Sequence, residues 1–450
     1  MELDIAETFI RERASIQTTQ VYSFAVTLDV KHQLEIDFVK DLSVDAFYLG
    51  NLVGERKFAD KLSSGHDAIG VKDNEAQTEN REFAIGLERR LNREFAANPH
   101  HQYENESLGS GAAVSYSSAQ RFHDGNDSQR IRFIGTLPET VNEHLRENQS
   151  YSAEFRDGLT EFSTQRDFRP KTICLEIEGG NSKLMLALTE GRKPEDLDLD
   201  NFLCNVTALA QGSSDYLIVQ MGSLNKGNTD FHRQIKSVFE EEASRNGKNL
   251  VMYTGTSDFG NNTERTIDVL RIVYSSHILS MNENELDQIY GALACVTGLN
   301  QTPDNRSEKL AQLDLLVDSY NARNPESLIV RNPEQIKICH SAHGAMAYKK
   351  WEENDFGKDK ELIQQILQLC VDGTTQKYLT GLYPNLDEAL AYSDSVADRQ
   401  NTNLTDDFGR NFDVVYAPAP VVVNPRGSLT GLGATLDGLA TATIGLYFVK

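Results

Sequence analysis

The chain has 450 residues, of which 39% are hydrophobic and 25% are charged. This composition is typical of a globular protein that buries a large core, and it excludes a disordered chain. The formal net charge is −23, so a polyphosphate would be repelled and we expect no nucleic-acid partner. Every apolar run falls short of the roughly 20 residues that span a bilayer, so we also expect no membrane partner.

The cysteines predict a reducing compartment. They are odd in number, have apolar neighbours and form no CxxC pair, and they comprise Cys174, Cys204, Cys295, Cys339 and Cys370. We therefore predict buried free thiols, with neither a zinc site nor a disulfide framework. The charged N-terminal sequence MELDIAETFIRERASIQ has no secretory pattern, which adds to the expectation of a cytoplasmic protein.

The first half of the chain mixes strand and helix patterns. Residues 21–30 predict a strand, and residues 31 to about 101 are polar and helix-rich, with a predicted helix at 83–97. A further strand is predicted at 132–137. Residues 172–188 predict two strands joined at Gly179-Gly180, because a glycine pair between apolar runs is typical of a hairpin.

The second half alternates strands with helices. Strands are predicted at 216–221, 250–253 and 421–423, and helices include 231–244 and 360–369. This alternation predicts an α/β fold with a doubly wound, mostly parallel sheet. We expect residues 1–30, 106–169 and 204–450 to form the large domain. Residues 31–105 and 170–203 are predicted to form a smaller α+β lid domain.

Two patterns have unremarkable explanations that we prefer. His340 and His343 lie three residues apart without a third ligand nearby, so we predict a strand that ends at His340 near a bound ligand, not a metal site. Asp-Phe-Gly triplets begin at Asp258, Asp355 and Asp407, but no GxGxxG loop or His-Arg-Asp motif accompanies them. We interpret them as turns and exclude a protein kinase.

The C-terminal region carries the most informative pattern. A predicted strand at 421–423 leads to a turn with Gly431 and Gly433, followed by an apolar helix. Glycines let the backbone approach a phosphate closely, and the N–H groups of a helix's first turn attract anions. Glycine-rich turns between a strand and a helix also occur for packing reasons, so the residues alone leave both interpretations open.

Two motifs resemble one family. The sequence Gly431-Leu-Gly433-Ala434 resembles the G-x-G-D turn of ribokinase-like kinases, and residues 282–286 (NENEL) resemble the N-E-x-E-L segment of ADP-dependent glucokinases and phosphofructokinases. The resemblance implies a ribokinase-like fold and carbohydrate metabolism. It implies transfer of a phosphoryl group from ADP, or ATP, to a hydroxyl of a sugar, sugar phosphate or related polyol, with Mg²⁺ as the cofactor.

The resemblance also implies roles for residues along most of the chain. The residues implied to bind the acceptor are Asp29, Gly109, Ser110 and Gly111. Those implied to bind the nucleotide are Gly222, His340 and Thr435, and those implied to order Mg²⁺ are Asn282 and Glu285. Those implied to surround the transferring phosphoryl group are Arg426, Gly431, Gly433 and the residue at 434.

Three features depart from the family. Ala434 stands where the family has its catalytic Asp, Met252-Tyr-Thr254 stands where it has a His-x-Glu motif, and the lid Glu has no clear counterpart. Because an alanine cannot accept a proton, we interpret the chain as a base-less Asp-to-Ala variant that binds both substrates and is nearly inactive. The alternative is a pseudoenzyme that binds nucleotide or sugar as a sensor or scaffold.

Overall fold

The computed structural model defines most of the chain outside residues 35–104. It describes residues 3–25, 27–34, 105–109, 111–148, 151–166, 169–177, 183–190, 199–222, 229–256, 262–299, 302–341, 343–351, 358–396, 413–420, 422 and 431–450. The strands are β1 (Thr18–Ala25), β2 (Thr27–Leu34), β3 (Asn105–Gly109), β4 (Gln129–Pro138), β5 (Phe162–Arg166), β6 (Arg169–Ile177), β7 (Lys183–Glu190), β8 (Tyr216–Met221), β9 (Asn249–Gly255), β10 (Ile278–Asn282), β11 (Ile336–Ser341), β12 (Gly344–Tyr348) and β13 (Val414–Pro418). The helices are α1 (Asp4–Ala14), α2 (Gly111–Phe122), α3 (Glu139–Glu147), α4 (Ala153–Thr160), α5 (Leu199–Gly212), α6 (Thr229–Arg245), α7 (Thr263–Val273), α8 (Glu283–Thr297), α9 (Arg306–Arg323), α10 (Lys358–Thr380), α11 (Leu386–Ser395) and α12 (Leu432–Tyr447).

A nine-stranded sheet forms the centre of the molecule. Its order is β13-β12-β11-β10-β9-β8-β1-β4-β5, and every neighbouring pair from β11 to β5 is parallel. At one edge, β12 pairs antiparallel with both β11 and β13. The predicted mostly parallel sheet is therefore confirmed, and the carboxyl ends of β8, β9, β10 and β11 lie along one edge of it.

Helices cover both faces of this sheet. The apolar side chains of α1, α2, α10 and α12 pack on one face, and those of α5 to α9 pack on the other. Parallel strands covered on both faces are apolar along their length, which explains the run YLIVQM in β8. The strands predicted at 132–137, 216–221 and 250–253 are confirmed as parts of β4, β8 and β9.

A second sheet joins distant parts of the chain. Its order is β3-β2-β6-β7, with β2 and β6 parallel and the other pairs antiparallel. The antiparallel pairing of β6 with β7 confirms the predicted pair of strands, while their connecting residues lie outside the described part. The lid and domain boundaries, and the helix predicted at 83–97, stay predictions.

The single strand predicted at 21–30 is wrong, because this run contributes to two strands in two sheets. β1 ends at Ala25 between β4 and β8, whereas β2 begins at Thr27 beside β3 and β6. The sequence did not reveal the break, because residues 21–30 form one continuous run with a strand pattern, and only the partners of β1 and β2 show that it divides.

The prediction that the cysteines are buried is correct for only some of them. Cys339 and Cys370 are buried free thiols, and burial raises the pKa of Cys370 to about 12. Cys204 and Cys295 are exposed free thiols. Both lie in helices, where the next residue along the chain is turned by about 100°, so apolar sequence neighbours do not imply burial. Within the described ranges, no helix is long and apolar enough to cross a membrane.

Candidate active site at the carboxyl edge of the sheet

The glycine-rich turn begins α12 as predicted. Gly431 is the residue before the helix and has φ +80°, a conformation that glycine adopts at little cost. The N–H and the hydroxyl of Thr435 both donate to the Gly431 carbonyl oxygen at 2.8 Å. The N–H groups of residues 432–434 precede the first helical hydrogen bond and face the helix N-terminus. We call residues 431–434 the anion turn.

Helix α2 and strand β11 contact the anion turn. A Cβ atom on Gly431 would lie 3.3 Å from Cγ1 of Val114 in α2, and one on Gly433 would lie 2.9 Å from Cε1 of His340 in β11. A side chain at Gly433 would therefore displace the imidazole. The start of α2 and the end of β11 thus meet at this turn.

Polar contacts connect α2 to the beginning of α12. Ser115 Oγ donates to the Ala434 carbonyl oxygen at 2.7 Å, and Ser118 Oγ donates to that of Thr435 at 3.3 Å. Gln220 Nε2 donates to Ser115 Oγ at 3.1 Å. Because Gln220 lies two residues before Gly222 at the end of β8, this contact also brings the end of β8 to the same place.

Asn282 and Glu285 form a capping box at the start of α8. Asn282 Oδ1 accepts from the Glu285 N–H at 2.9 Å, and Glu285 Oε2 accepts from the Asn282 N–H at 2.9 Å. The Thr256 hydroxyl also donates to Glu285 Oε2, at 2.8 Å. Asn282 is the register neighbour of His340 on β11. The pair therefore lies beside the anion turn, and it stabilises a helix terminus whatever else it does.

The geometry offers Mg²⁺ no set of direct ligands in the described part of the chain. No group of three or more His, Cys, Asp or Glu side chains that could hold a metal is found there. One oxygen each of Asn282 and Glu285 already accepts hydrogen bonds within the capping box. Because Mg²⁺ keeps several of its waters in most protein sites, these two residues fit a role through water better than direct coordination.

Sequence reasoning missed one carboxylate in α12. Asp437 Oδ1 accepts hydrogen bonds from the Tyr253 hydroxyl of β9 and from Ser280 Oγ of β10, each at 2.6 Å. Burial, together with the Asp437 charge, raises the pKa of Tyr253 well above its usual value, so the phenol stays protonated and donates. The signal was present in the sequence, since Asp437 is the only charged residue among residues 432–447. Tyr253 is the centre of the Met252-Tyr-Thr254 departure.

The implied acceptor residues are spread over the second sheet and the start of α2. Asp29 lies on β2, in register with Ser107 and Thr172. Gly109 ends β3, and Gly111 begins α2. Ser110, Arg426 and all of the predicted strand at 421–423 except Val422 lie outside the described residues, as do the three Asp-Phe-Gly triplets.

Solved structures share this arrangement of sheets and helices. An ADP-dependent kinase in complex with fructose-6-phosphate and ADPβS matches with TM-score 0.61 and 11% identity over 100% of this chain and 98% of that one. The last common ancestor of ADP-dependent phosphofructokinases from Methanosarcinales matches with TM-score 0.55 and 11% identity over 99% and 97%. The Pyrococcus horikoshii phosphofructokinase with AMP matches with TM-score 0.52 and 12% identity over 96% and 99%.

This chain has the ADP-dependent phosphofructokinase fold. The ribokinase-like α/β class expected from the sequence is thereby confirmed. No protein-family model and no curated protein matches the sequence. At such low identity the likeness establishes the fold, and it does not establish the activity.

In this fold, the described residues implied to surround the phosphates and Mg²⁺ lie at one edge of the nine-stranded sheet. Doubly wound sheets bind their ligands beyond the carboxyl ends of their strands. Here that edge carries the anion turn, Asn282 and His340. The arrangement supplies backbone donors for an anion next to the hydrogen-bonded amide and carboxylate of Asn282 and Glu285.

Proposed function

We propose that this protein is a sugar kinase that transfers a phosphoryl group from ADP, or ATP, to a hydroxyl of a sugar, sugar phosphate or related polyol. The observation that supports this most is the meeting of α2, β10, β11 and α12 at the anion turn. The fold of the chain is shared with solved structures of ADP-dependent kinases, one of them in complex with fructose-6-phosphate and ADPβS.

The donor would bind along the anion turn. The N–H groups of residues 432–434 would face the transferring phosphoryl group, and Arg426 would offset its charge with a fork of donors suited to phosphate. Gly222 and His340 would border the nucleotide. Thr435 would act through the shape of the turn, because both of its donors are already bonded to Gly431.

The metal would be Mg²⁺, held by the phosphates and by water. Asn282 and Glu285 would order those waters from the start of α8. Bound Mg²⁺ neutralises charge that develops on the phosphates during transfer. The residues of this chain would position it without contacting it directly.

The acceptor would bind between the second sheet and the start of α2. Asp29 would accept hydrogen bonds from sugar hydroxyls, and residues 109–111 would contact the sugar through their backbone. The segments at 31–105 and 170–203 would close over the site and exclude water, which suppresses hydrolysis of the donor.

Ala434 also supports a second candidate function. With no carboxylate at this position, the chain lacks the family's direct proton acceptor, so we expect slow transfer. A pseudoenzyme that binds nucleotide or sugar as a sensor or scaffold would show the same residue. The two candidates differ in turnover and not in binding.

Calorimetric titration with ADP, ATP and AMP, with and without Mg²⁺, tests the donor site. Fructose 6-phosphate, glucose and a polyol panel test the acceptor site, and radiolabelled donor tests transfer. A kinase binds a donor with Mg²⁺ dependence and forms a labelled phosphorylated product. A sensor or scaffold of the second class binds at least one ligand and labels none. Absence of binding to every nucleotide and acceptor would contradict both candidates.

A further inference from the structure

We propose that Asp437 accepts the proton of the acceptor hydroxyl, through one bridging water, in place of the carboxylate that is missing at position 434. This inference rests on the proposed function, which leaves the proton acceptor unassigned. It assigns that role to a residue of the same helix, one turn further from the anion turn.

The position of Asp437 in α12 requires an explanation. Residues 438–446 and the two residues before Asp437 are buried, whereas Asp437 is partly exposed, like residues 431–434 of the anion turn. A carboxylate in an otherwise apolar helix costs free energy unless other groups solvate it. Tyr253 and Ser280, both buried, supply two hydrogen bonds. These two hydroxyls therefore solvate the carboxylate, while part of the residue stays exposed.

The two hydrogen bonds occupy one carboxylate oxygen of Asp437 and leave the other available for the proposed reaction. Tyr253 and Ser280 both donate to Oδ1, and no residue in the described part of the chain donates to Oδ2. Within the same ranges, no lysine or arginine forms an ion pair with Asp437. A carboxylate that is oriented by two hydroxyls and not neutralised by a cation is suited to accept a proton.

Helix geometry directs Asp437 toward position 434. Residues three apart lie on one face with Cβ atoms about 5–6 Å from each other, and side chains tilt toward the helix N-terminus. The proposal places one water beside the methyl group of Ala434, between the Asp437 carboxylate and the anion turn. An aspartate at both positions would place like charges side by side, so Ala434 and Asp437 are a compatible pair.

The proposed transfer needs only the donor, the acceptor, one water and Asp437. The acceptor oxygen forms a bond to the terminal phosphorus of the donor while the bond from that phosphorus to the leaving phosphate oxygen breaks. With ADP the leaving group is AMP. The hydroxyl proton passes to the bridging water, which gives one of its own protons to Asp437 Oδ2. The water gains one proton and loses one, so it is unchanged at the end of the transfer.

The test compares four proteins in single-turnover transfer from labelled ADP: the unmodified chain, Asp437→Asn, Ala434→Asp, and the double variant. Asn keeps the size and the hydrogen-bond acceptor of Asp437 but removes its basicity. We expect Asp437→Asn to lower the transfer rate by at least ~10²-fold. The double variant should transfer as fast as Ala434→Asp, because the carboxylate at 434 no longer needs Asp437.

Asp372→Asn is the matched control. Asp372 is a buried carboxylate on α10 that accepts from Gln368 at 2.9 Å and from Ser393 at 2.5 Å, away from the anion turn. Its replacement should alter the unfolding midpoint and leave the transfer rate unchanged.

Each other outcome overturns the inference. An unchanged transfer rate in Asp437→Asn would be compatible with the proposed kinase activity and would contradict the role of Asp437. Loss of transfer in the double variant would show that Asp437 only anchors α12. If Ala434→Asp transfers the phosphoryl group and the unmodified chain does not, Asp437 cannot act as the proton acceptor. If no protein transfers to any acceptor, the proposed kinase itself fails, and the inference with it.

Discussion

At position 434 the side chain is expected to affect the rate of the proposed reaction and not the binding of the nucleotide. Ala434 lies in the first turn of α12, and its carbonyl oxygen accepts a hydrogen bond from Ser115. The backbone donors of the turn do not depend on this side chain. Nucleotide binding can therefore persist whether or not position 434 carries a carboxylate.

Ala434→Asp is expected to raise the transfer rate by at least ~10²-fold, because a carboxylate at 434 would accept the proton directly and not through a bridging water. Nucleotide affinity should change little. Transfer rates and calorimetric dissociation constants, measured on the same preparations, check both statements. Ala434→Asn is the control, since it has similar size and no basicity. Equal gains in both variants would show that the effect comes from packing.

At the scale of single elements, the capping box of α8 has a structural and a proposed functional role that can be separated. Asn282→Ala removes one cap and is expected to cost about 1 kcal/mol of stability. If Asn282 also orders Mg²⁺, the variant should weaken Mg²⁺-dependent nucleotide binding. Urea unfolding and calorimetry with and without Mg²⁺ give the two quantities.

The chain contains a matched control for this variant. Asn385 and Glu388 form a second capping box at the start of α11, which belongs to none of the elements at the anion turn. Asn385→Ala should cost similar stability and leave nucleotide affinity unchanged. Equal nucleotide affinity in Asn282→Ala and Asn385→Ala would show that Asn282 acts only as a helix cap.

The contact of α2 with α12 gives a second prediction for elements. A Cβ atom on Gly438 would lie 2.5 Å from the Ser115 carbonyl oxygen and 2.8 Å from its Cα. Both are backbone atoms, so one helix must shift. We expect Gly438→Ala to destabilise the protein by about 1–3 kcal/mol, and to weaken nucleotide binding by displacing the anion turn.

Gly291→Ala serves as the comparison for Gly438→Ala. Gly291 lies on α8, and a Cβ atom there would meet no atom within 4 Å. Alanine favours the helix by up to about 1 kcal/mol relative to glycine, so this variant should be neutral or stabilising. Equal unfolding midpoints for the two variants would contradict the close helix contact.

For the whole molecule, stability should fall in mild acid because of buried histidines. Burial lowers the pKa of His123 to about 4, against a weaker opposing effect of the Ala442 carbonyl, and burial also lowers the pKa of His232 to about 4. The unfolded chain takes up these protons near pH 6.5, whereas the folded chain does not. Each histidine therefore removes about 1.4 kcal/mol per pH unit between pH 6.5 and 4, and nothing above that range.

The measurement is the free energy of unfolding in urea from pH 7.5 to 4.5. His123→Gln keeps a polar side chain beside Gln20 and Ala442 but removes the titration. Its stability should fall less steeply with acid than that of the unmodified protein. Parallel curves for the two proteins would show that the pKa of His123 is the same in the folded and the unfolded chain.

The sequence by itself determined the class of the fold. The alternation of apolar runs with helical patterns, as at 216–221 and 231–244, reports which segments must be buried on which side, and such patterns are local. The glycines of the anion turn were likewise visible, because a positive φ at Gly431 restricts the residue locally. A physical requirement that a single segment meets by itself can therefore be recognised in the sequence of that segment.

The tertiary structure alone decided which residues meet. The split of residues 21–30 between two sheets, the exposure of Cys204 and Cys295, and the bonding of Asp437 to Tyr253 and Ser280 all depend on partners far away in the chain. Tyr253 and Asp437 are separated by 184 residues. Neither residue type nor spacing encodes such a contact, because it arises only when β9, β10 and α12 pack together.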